Sequence, residues 1–396
     1  MPNVVGRWAL LLATVACSHP PAAITAAWGS GAAMPRPARP DIPCCGDEND
    51  PNTFIALGGA MLDRGHADSA AAAFYWASRL DPTLAHPYYG RSVALLLTYA
   101  RQVQQPFSDI WLPIASVPPA RMAIIDSLRQ EALSRDPFLV ASYDHLLTGR
   151  PPAYAVATMR DPALRGYWSY DLGLTAIADS LLGIALQERP GRARLREIRA
   201  RAEFDLGRYD SAAVQLRIAL DTLTHRDSSR LTLAYSSKEM IHYALGFIHA
   251  QRKDTADARR SFESAIVENA AFYPAHARLA ALASERGDDS TAARELGVAI
   301  ELAPNDATLR YYRGVALLGA GRPGTAVAEL LQAIDLDPYF ARPYYFLGKA
   351  HEARRDMARA AHAYEAYAGR EQSSSAERVW AQAYADTLRT RLAAAP

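Results

Sequence analysis

The sequence predicts an all-α protein built as a one-dimensional array of stacked helical hairpins, an α-solenoid. Three observations carry this: a period of 34 residues through most of the chain, alanine at about a fifth of the 396 residues, and an apolar share of 50%. Alanine loses no side-chain entropy in a helix, so such an excess favours helix. A period of this length marks a repeated supersecondary unit, and one hairpin cannot bury its apolar face alone. With 43 Lys+Arg against 42 Asp+Glu the chain lacks the basic excess that nucleic-acid binding needs. Three lysines stand against forty arginines, a skew that fits a GC-rich bacterial genome and carries no mechanism.

Residues 1–16 read as a signal peptide. Arg7 precedes an apolar run from Trp8 to Ala16, shorter than the roughly twenty residues a membrane span needs. Thr14-Val15-Ala16-Cys17 resembles the lipobox of bacterial lipoproteins, with Thr14 where that family prefers Leu. The resemblance implies that Cys17 is acylated and becomes the mature N-terminus, and Ser18 after it implies the outer membrane rather than the inner. Ordinary secretion, with cleavage after Ala16 or Ala27, and an uncleaved apolar tail are the alternatives. Losing Arg7 with the leader leaves 42 cations against 42 anions, an electrically balanced body. Residues 17–50 are rich in Pro, Ala and Gly and read as an extended tether. Cys44 and Cys45 near its end are either an idle pair or thiols able to cross-link in an oxidising compartment.

The body starts at Pro51. Residues 51–103 hold one well-formed repeat, with Leu57-Gly58, Gly65, Ala70, Phe74, Ala77 and Asp81-Pro82 in place, and a following helix from Ala85. Residues 104–158 lose the register: they carry Pro106, Pro113, Pro118, Pro119, Pro151 and Pro152, with a helix expected from Arg121 to Arg135. They read as a degenerate repeat pair with an irregular excursion. Residues 159–226 hold two repeats, starting at Met159 and Ala193, and 227–238 are a polar insertion. Residues 239–374 hold four repeats in unbroken register, starting at Glu239, Tyr273, Ala307 and Ala341. Position 8 in these four is Gly246, Ala280, Gly314 and Gly348; position 20 is Ala258, Ala292, Ala326 and Ala360; position 24 is Phe262, Leu296, Leu330 and Tyr364. Residues 375–396 form an amphipathic helix that caps the array.

This pattern resembles the tetratricopeptide repeat, whose signature is Trp-Leu-Gly-Tyr-Ala-Phe-Ala-Pro at positions 4, 7, 8, 11, 20, 24, 27 and 32. Small residues at 8, 20 and 27 let two helices approach, a large one at 24 fills the space beside them, and Pro at 32 stops the second helix. The resemblance covers roughly 240 residues. It implies a groove lined by positions 2, 5, 9, 12 and 13 of each first helix. Here those places hold Arg194, Arg201, Tyr243, Phe247, Tyr311, Arg342, Tyr345 and Lys349. Tyrosine and arginine are favoured at interaction hot spots, and the alternative for each tyrosine is packing against a neighbouring helix.

No phosphate-binding Gly-rich loop, Gly-x-Ser-x-Gly elbow, His-Glu-x-x-His or Cys-x-x-Cys pair occurs. His242 and His249 lie seven apart, about 10 Å along a helix, too far for joint metal ligation, and pack between helices in the expected register. The sequence therefore predicts no catalytic residue, cofactor or metal. The leading reading is a non-enzymatic scaffold of the bacterial envelope, membrane-bound through a lipid on Cys17 and holding a protein or peptide partner, with no nucleic acid; its oligomeric state stays open. Two alternatives stand: an envelope enzyme with its site in residues 104–158, and a cytoplasmic scaffold if the leader is misread.

Overall fold

A computed structural model of the protein describes residues 36–42, 46–102, 119–139, 153–223, 237–371 and 375–394. The leader, Cys17, Cys44, Cys45, most of the irregular stretch and nearly all of the 227–238 insertion lie outside these residues. Among the described residues every regular element is a helix, eighteen in all. In chain order they are α1 (Pro51–Asp63), α2 (Ala67–Leu80), α3 (His86–Gln102), α4 (Pro119–Arg135), α5 (Ala153–Thr158), α6 (Pro162–Asp171), α7 (Thr175–Glu188), α8 (Ala193–Asp205) and α9 (Tyr209–Thr222). There follow α10 (Lys238–Gln251), α11 (Thr255–Glu268), α12 (Tyr273–Glu285), α13 (Asp289–Leu302), α14 (Ala307–Gly319), α15 (Pro323–Leu336), α16 (Arg342–Ala353), α17 (Met357–Ala368) and α18 (Ala376–Ala393). No described helix is long and apolar enough to cross a membrane.

These helices fall into two compact units. The first holds α5–α11. The second holds α1, α2, most of α3 and α4, and α12–α18. The boundary at residues 270/271 falls inside the stretch read as four consecutive repeats.

Each hairpin turns the same way for the same reason. Position 15 of all seven repeats has a left-handed backbone: Gly65, Gly173, Gly207, Gly287 and Gly321 at φ between 71° and 77°, Lys253 at 62° and Arg355 at 61°. Glycine has no Cβ to oppose that conformation; the lysine and arginine adopt it at a cost of about 1–2 kcal/mol each. The second helices then start from side-chain caps where Asp254, Asp288 and Asp356 accept from backbone N–H groups of the first turn.

Packing within each hairpin follows the period. The position-20 alanines, Ala70, Ala178, Ala212, Ala258, Ala292, Ala326 and Ala360, are completely buried. Opposite them the position-8 glycines face the position-24 side chains so closely that a methyl group would collide. A Cβ at Gly58 would lie 2.8 Å from Phe74, one at Gly246 2.4 Å from Phe262, and one at Gly348 2.7 Å from Tyr364. Consecutive hairpins are joined by a second device. The side chain at position 4 of one repeat donates to the carbonyl of the position-32 proline before it: Tyr88 to Pro82 at 3.3 Å, Tyr344 to Pro338 at 3.2 Å, Arg196 to Pro190 at 2.9 Å and Arg310 to Pro304 at 3.1 Å. That carbonyl follows a helix end and lacks an intrahelical donor.

The second repeat is recognisable from this device. Arg135, at the end of α4, lies over the Tyr88 ring at 4.3 Å and donates to Pro82 O at 2.6 Å, as Arg370 lies over Tyr344 at 4.3 Å and donates to Pro338 O at 2.9 Å. Helices α3 and α4 are thus the two helices of one repeat, and the irregular excursion is an insertion between them. The expected helix from Arg121 starts two residues earlier, at Pro119, because proline suits the first turn.

Inside the second unit the N-terminal repeats pack against the C-terminal ones, a contact that a strictly nearest-neighbour array does not have. From α2, Arg79 donates to Leu336 O at 2.6 Å, and its Nε lies 3.2 Å from Asp337. The Asp337 carboxyl is 1% exposed and receives no well-aligned hydrogen bond. Burial pushes its pKa up to about 7, against the opposing pull of Arg79. From α4, Arg135 pairs with Glu131, stands 3.6 Å from Asp306 and is 11% exposed. Tyr273 donates to Glu131 at 3.5 Å, and Arg278 donates to the Arg135 carbonyl at 2.8 Å.

Candidate partner-binding surface

The eight groove residues anticipated from the sequence divide between the units. In the first unit Arg194 is exposed on α8 and Arg201 half-buried there, while Phe247 on α10 lies 6.2 Å from Phe204. Tyr243 is completely buried, its ring 5.6 Å from Phe262, so it packs between helices and presents no face to a partner. In the second unit Tyr311 is 8% exposed, wedged against Phe340 at 5.1 Å. For these two tyrosines the packing alternative holds, and the groove assignment is corrected. Tyr243 packs on the second helix of its own repeat, and Tyr311 on the segment leading into α16 and on Phe346.

Tyr345, Lys349 and Arg342 come together on α16. Tyr345 is half-buried, and the Lys349 ammonium sits 4.9 Å over its ring. Arg342 is exposed and pairs with Glu377 of α18 at 3.2 Å. Around them runs a continuous series of rings: Tyr312 to Tyr311 at 4.9 Å, Tyr311 to Phe346 at 5.7 Å, Phe346 to Tyr345 at 5.3 Å, Tyr345 to Trp380 at 6.0 Å and Trp380 to Tyr384 at 5.0 Å. The last pair is stacked at 17°. The solvent-facing members are Tyr312 at 44% exposure and Trp380 at 45%, with Val379 beside them. They occupy positions 6, 6 and 5 in the 34-residue register.

Position 6 went unread in the sequence, although its signal is there. Aromatic doublets occur at Tyr311-Tyr312 and Tyr345-Phe346, and adjacent helix residues point about 100° apart, so one member packs as the other faces out. Trp380 falls in the helix expected to cap the array, and α18 continues the 34-residue register there.

The row is held in place by acids. Glu352 accepts from both Tyr364 and Tyr384 at 2.6 Å, and this bond is the main reason the Tyr384 phenol titrates above its ordinary range. Glu377 accepts from Tyr367 at 3.2 Å while pairing with Arg342. Such bonds fix the rings in orientation before any partner arrives.

One trio among the described residues has donor atoms within 4.8 Å of one another: His249, Asp254 and Asp257. Arg217 lies 3.4 Å from His249 Nε2, and a guanidinium can only donate. His249 Nε2 therefore accepts and Nδ1 carries the proton, turned to Asp254 at 4.0 Å. His351 stands the same way, 3.9 Å from Asp356, with Arg359 in the place of Asp257. Both histidines are repeat-packing groups, as the sequence register anticipated for His249.

The family model for the tetratricopeptide repeat matches residues 169–227, 277–341 and 311–377. No curated protein gives a significant match to the sequence. Among solved structures, the C-terminal part of a TPR repeat-containing protein from Cytophaga hutchinsonii is 14% identical, with 52% of this chain and 78% of that one covered and a TM-score of 0.46. MamA from Desulfovibrio magneticus RS-1 is 20% identical over 44% of this chain and 92% of its own, at 0.38. YrrB, described as a TPR protein with an unusual peptide-binding site, is 17% identical over 51% and 97%, at 0.41. The matched segments carry the left-handed turns, buried alanines and proline-capped joints described above, and over residues 169–227 and 277–377 the chain is built of tetratricopeptide repeats.

Proposed function

We propose that this protein is a non-enzymatic adaptor of the bacterial cell envelope that holds a protein or peptide partner along the aromatic row of its second unit. The observation that carries this reading is the run of rings from Tyr312 to Trp380, exposed at both ends, flanked by Lys349 and Arg342 and preset by Glu352 and Glu377. Aromatic faces supply contact area at low entropic cost, and the two cations select a segment that mixes apolar with acidic side chains. Tyr312→Ala and Trp380→Ala are each expected to weaken partner binding about 10- to 30-fold, roughly 1.4–2 kcal/mol, with unchanged denaturation midpoints because both rings are half in solvent. Titration calorimetry with the purified partner measures this. Affinities equal to wild type for both variants would sink the assignment.

The envelope part of the proposal rests on Thr14-Val15-Ala16-Cys17 and the Pro-rich tether. Acyl chains on Cys17 would bury dozens of CH₂ groups at about 0.8 kcal/mol each, which makes the anchor permanent. Ser18 favours the outer membrane. Mass spectrometry of the mature protein should find a lipid-modified N-terminal Cys17; an unmodified start at another residue refutes it.

A further inference from the structure

Residues 36–42 lie against the first repeat of the second unit, and two arginines in that segment are held by aromatic rings. The Arg36 guanidinium sits 4.6 Å from the Trp76 ring and 4.6 Å from the Tyr339 ring, in the angle of an edge-on pair whose centroids are 4.9 Å apart. It also donates to the Tyr339 hydroxyl. Arg39 lies 5.1 Å over the other part of the Trp76 surface and 5.3 Å over Phe54, and donates to Glu48 O. Between them the indole N–H of Trp76, a residue 2% exposed, donates to Pro37 O at 3.3 Å.

Each of these contacts is one that a proline-rich peptide makes with a receptor. Proline fixes the backbone in an extended form and leaves the carbonyl as its only main-chain hydrogen-bonding group, so a tryptophan N–H is a natural reader of it. An arginine between prolines is then presented sideways to an aromatic notch, where the ring faces attract its charge. The notch has two walls from distant parts of the chain. Trp76 belongs to α2, and Tyr339 to the turn after α15. A segment seated in it touches both.

We propose that Trp76, Tyr339 and Phe54 form a built-in receptor for an arginine-containing, proline-bracketed peptide, occupied in cis by the chain's own residues 36–40. The seated segment is a strap. It holds the N-terminal repeat against the turn after α15, alongside the Arg79–Asp337 pair. Tethering raises the strap's effective concentration to the order of millimolar, so the same peptide added in trans finds the notch filled.

The experiment uses the full chain and a fluorescein-labelled synthetic peptide with the sequence of residues 34–42. Its polarisation is read against wild type, Arg36→Ala/Arg39→Ala, and the same double variant carrying Tyr339→Ala. Tyr339 is half-buried on a turn, and circular dichroism and the denaturation midpoint report whether each variant is folded. The strap predicts at least tenfold tighter binding to the double variant than to wild type, and loss of that gain when Tyr339→Ala is added. A peptide that binds none of the three, or all three alike, overturns the receptor. Size-exclusion chromatography with light scattering supplies the other arm: a wild-type dimer that Arg36→Ala/Arg39→Ala converts to a monomer gives the occupant to a second copy and overturns the strap in cis.

Discussion

Phe74→Ala is expected to destabilise the second unit by about 3–5 kcal/mol, enough to remove a large part of the stability of an ordinary domain. Phe74 is completely buried at position 24 of the first repeat. Its ring fills the space left by two missing side chains at once: a Cβ on Gly58 would lie 2.8 Å from it, and one on Gly90 2.6 Å. Gly58 is on α1 and Gly90 on α3, so one ring cements the first repeat internally and to the second. Truncation leaves a cavity walled by backbone, which cannot move in to fill it. Phe74→Leu keeps most of the volume and should cost less, about 1–1.5 kcal/mol. Gly90→Ala makes the same point from the other side, through overpacking against an intact ring. Guanidinium unfolding followed by circular dichroism checks these. Equal midpoints for Phe74→Ala and wild type would mean that the ring is not the keystone of the first two repeats.

Arg135→Ala is expected to cost a similar amount, about 3–5 kcal/mol, by a different route. The Arg135 guanidinium is the cation of a closed node that holds Glu131, Asp306, the Tyr88 ring and Pro82 O. Without it Glu131 and Asp306 lose their shared cation, and Tyr273 and the first amides of α14 remain as neutral donors. The pH dependence separates this from loss of packing. Burial already raises the Glu131 pKa above its ordinary 4.5, while Arg135 is the largest influence holding it down. Removing Arg135 raises the folded-state value further. Between the unfolded and folded values the native state then carries a proton that the unfolded state lacks, so stability falls as pH rises through that window. The variant's deficit against wild type should accordingly be smaller near pH 4 and grow towards pH 8, the part left at pH 4 being the lost contacts to Pro82 O and the Tyr88 ring. A deficit of the same size at both ends would assign Arg135 a packing role alone.

Most of the architecture was legible in the sequence because its causes are local and repeated. The alanines at position 20 had to be small and the residues at 24 large in every repeat, and the prolines at 32 terminal where they occur. The four-repeat register from Glu239 made that visible without any structure. The rest was illegible for definite reasons. Tyr243 and Tyr311 read as groove residues because they share a register position with Tyr345, yet what buries them differs from repeat to repeat: Phe262 of its own hairpin for one, Phe340 before the next hairpin for the other. Trp380 and Tyr312 were missed for the same reason, one residue further round the helix. Both helices of repeat two are legible, from Ala85 and from Arg121, but the insertion between them hides their pairing, which the single arginine over Tyr88 reveals. The Arg135 node ties Pro82 to Asp306, 224 positions away (306 − 82), and periodicity says nothing about partners at that distance.

The second unit is assembled from pieces at both ends of the chain, with the first unit spliced between them. On the ribosome this order matters. Arg79 emerges 257 residues before the carbonyl it binds, and Trp76 waits slightly longer for Tyr339. At 5–20 residues per second that gap lasts roughly 13–50 s. In that interval helices α6–α11 have all their own partners and can complete a folded body. Helices α1–α4 and the strap have one another, while the Tyr339 side of Trp76 and the partners of Arg79 are still to be made. The N-terminal repeats are thus made first and finished last, and the nascent protein carries a sticky apolar edge through most of its own synthesis.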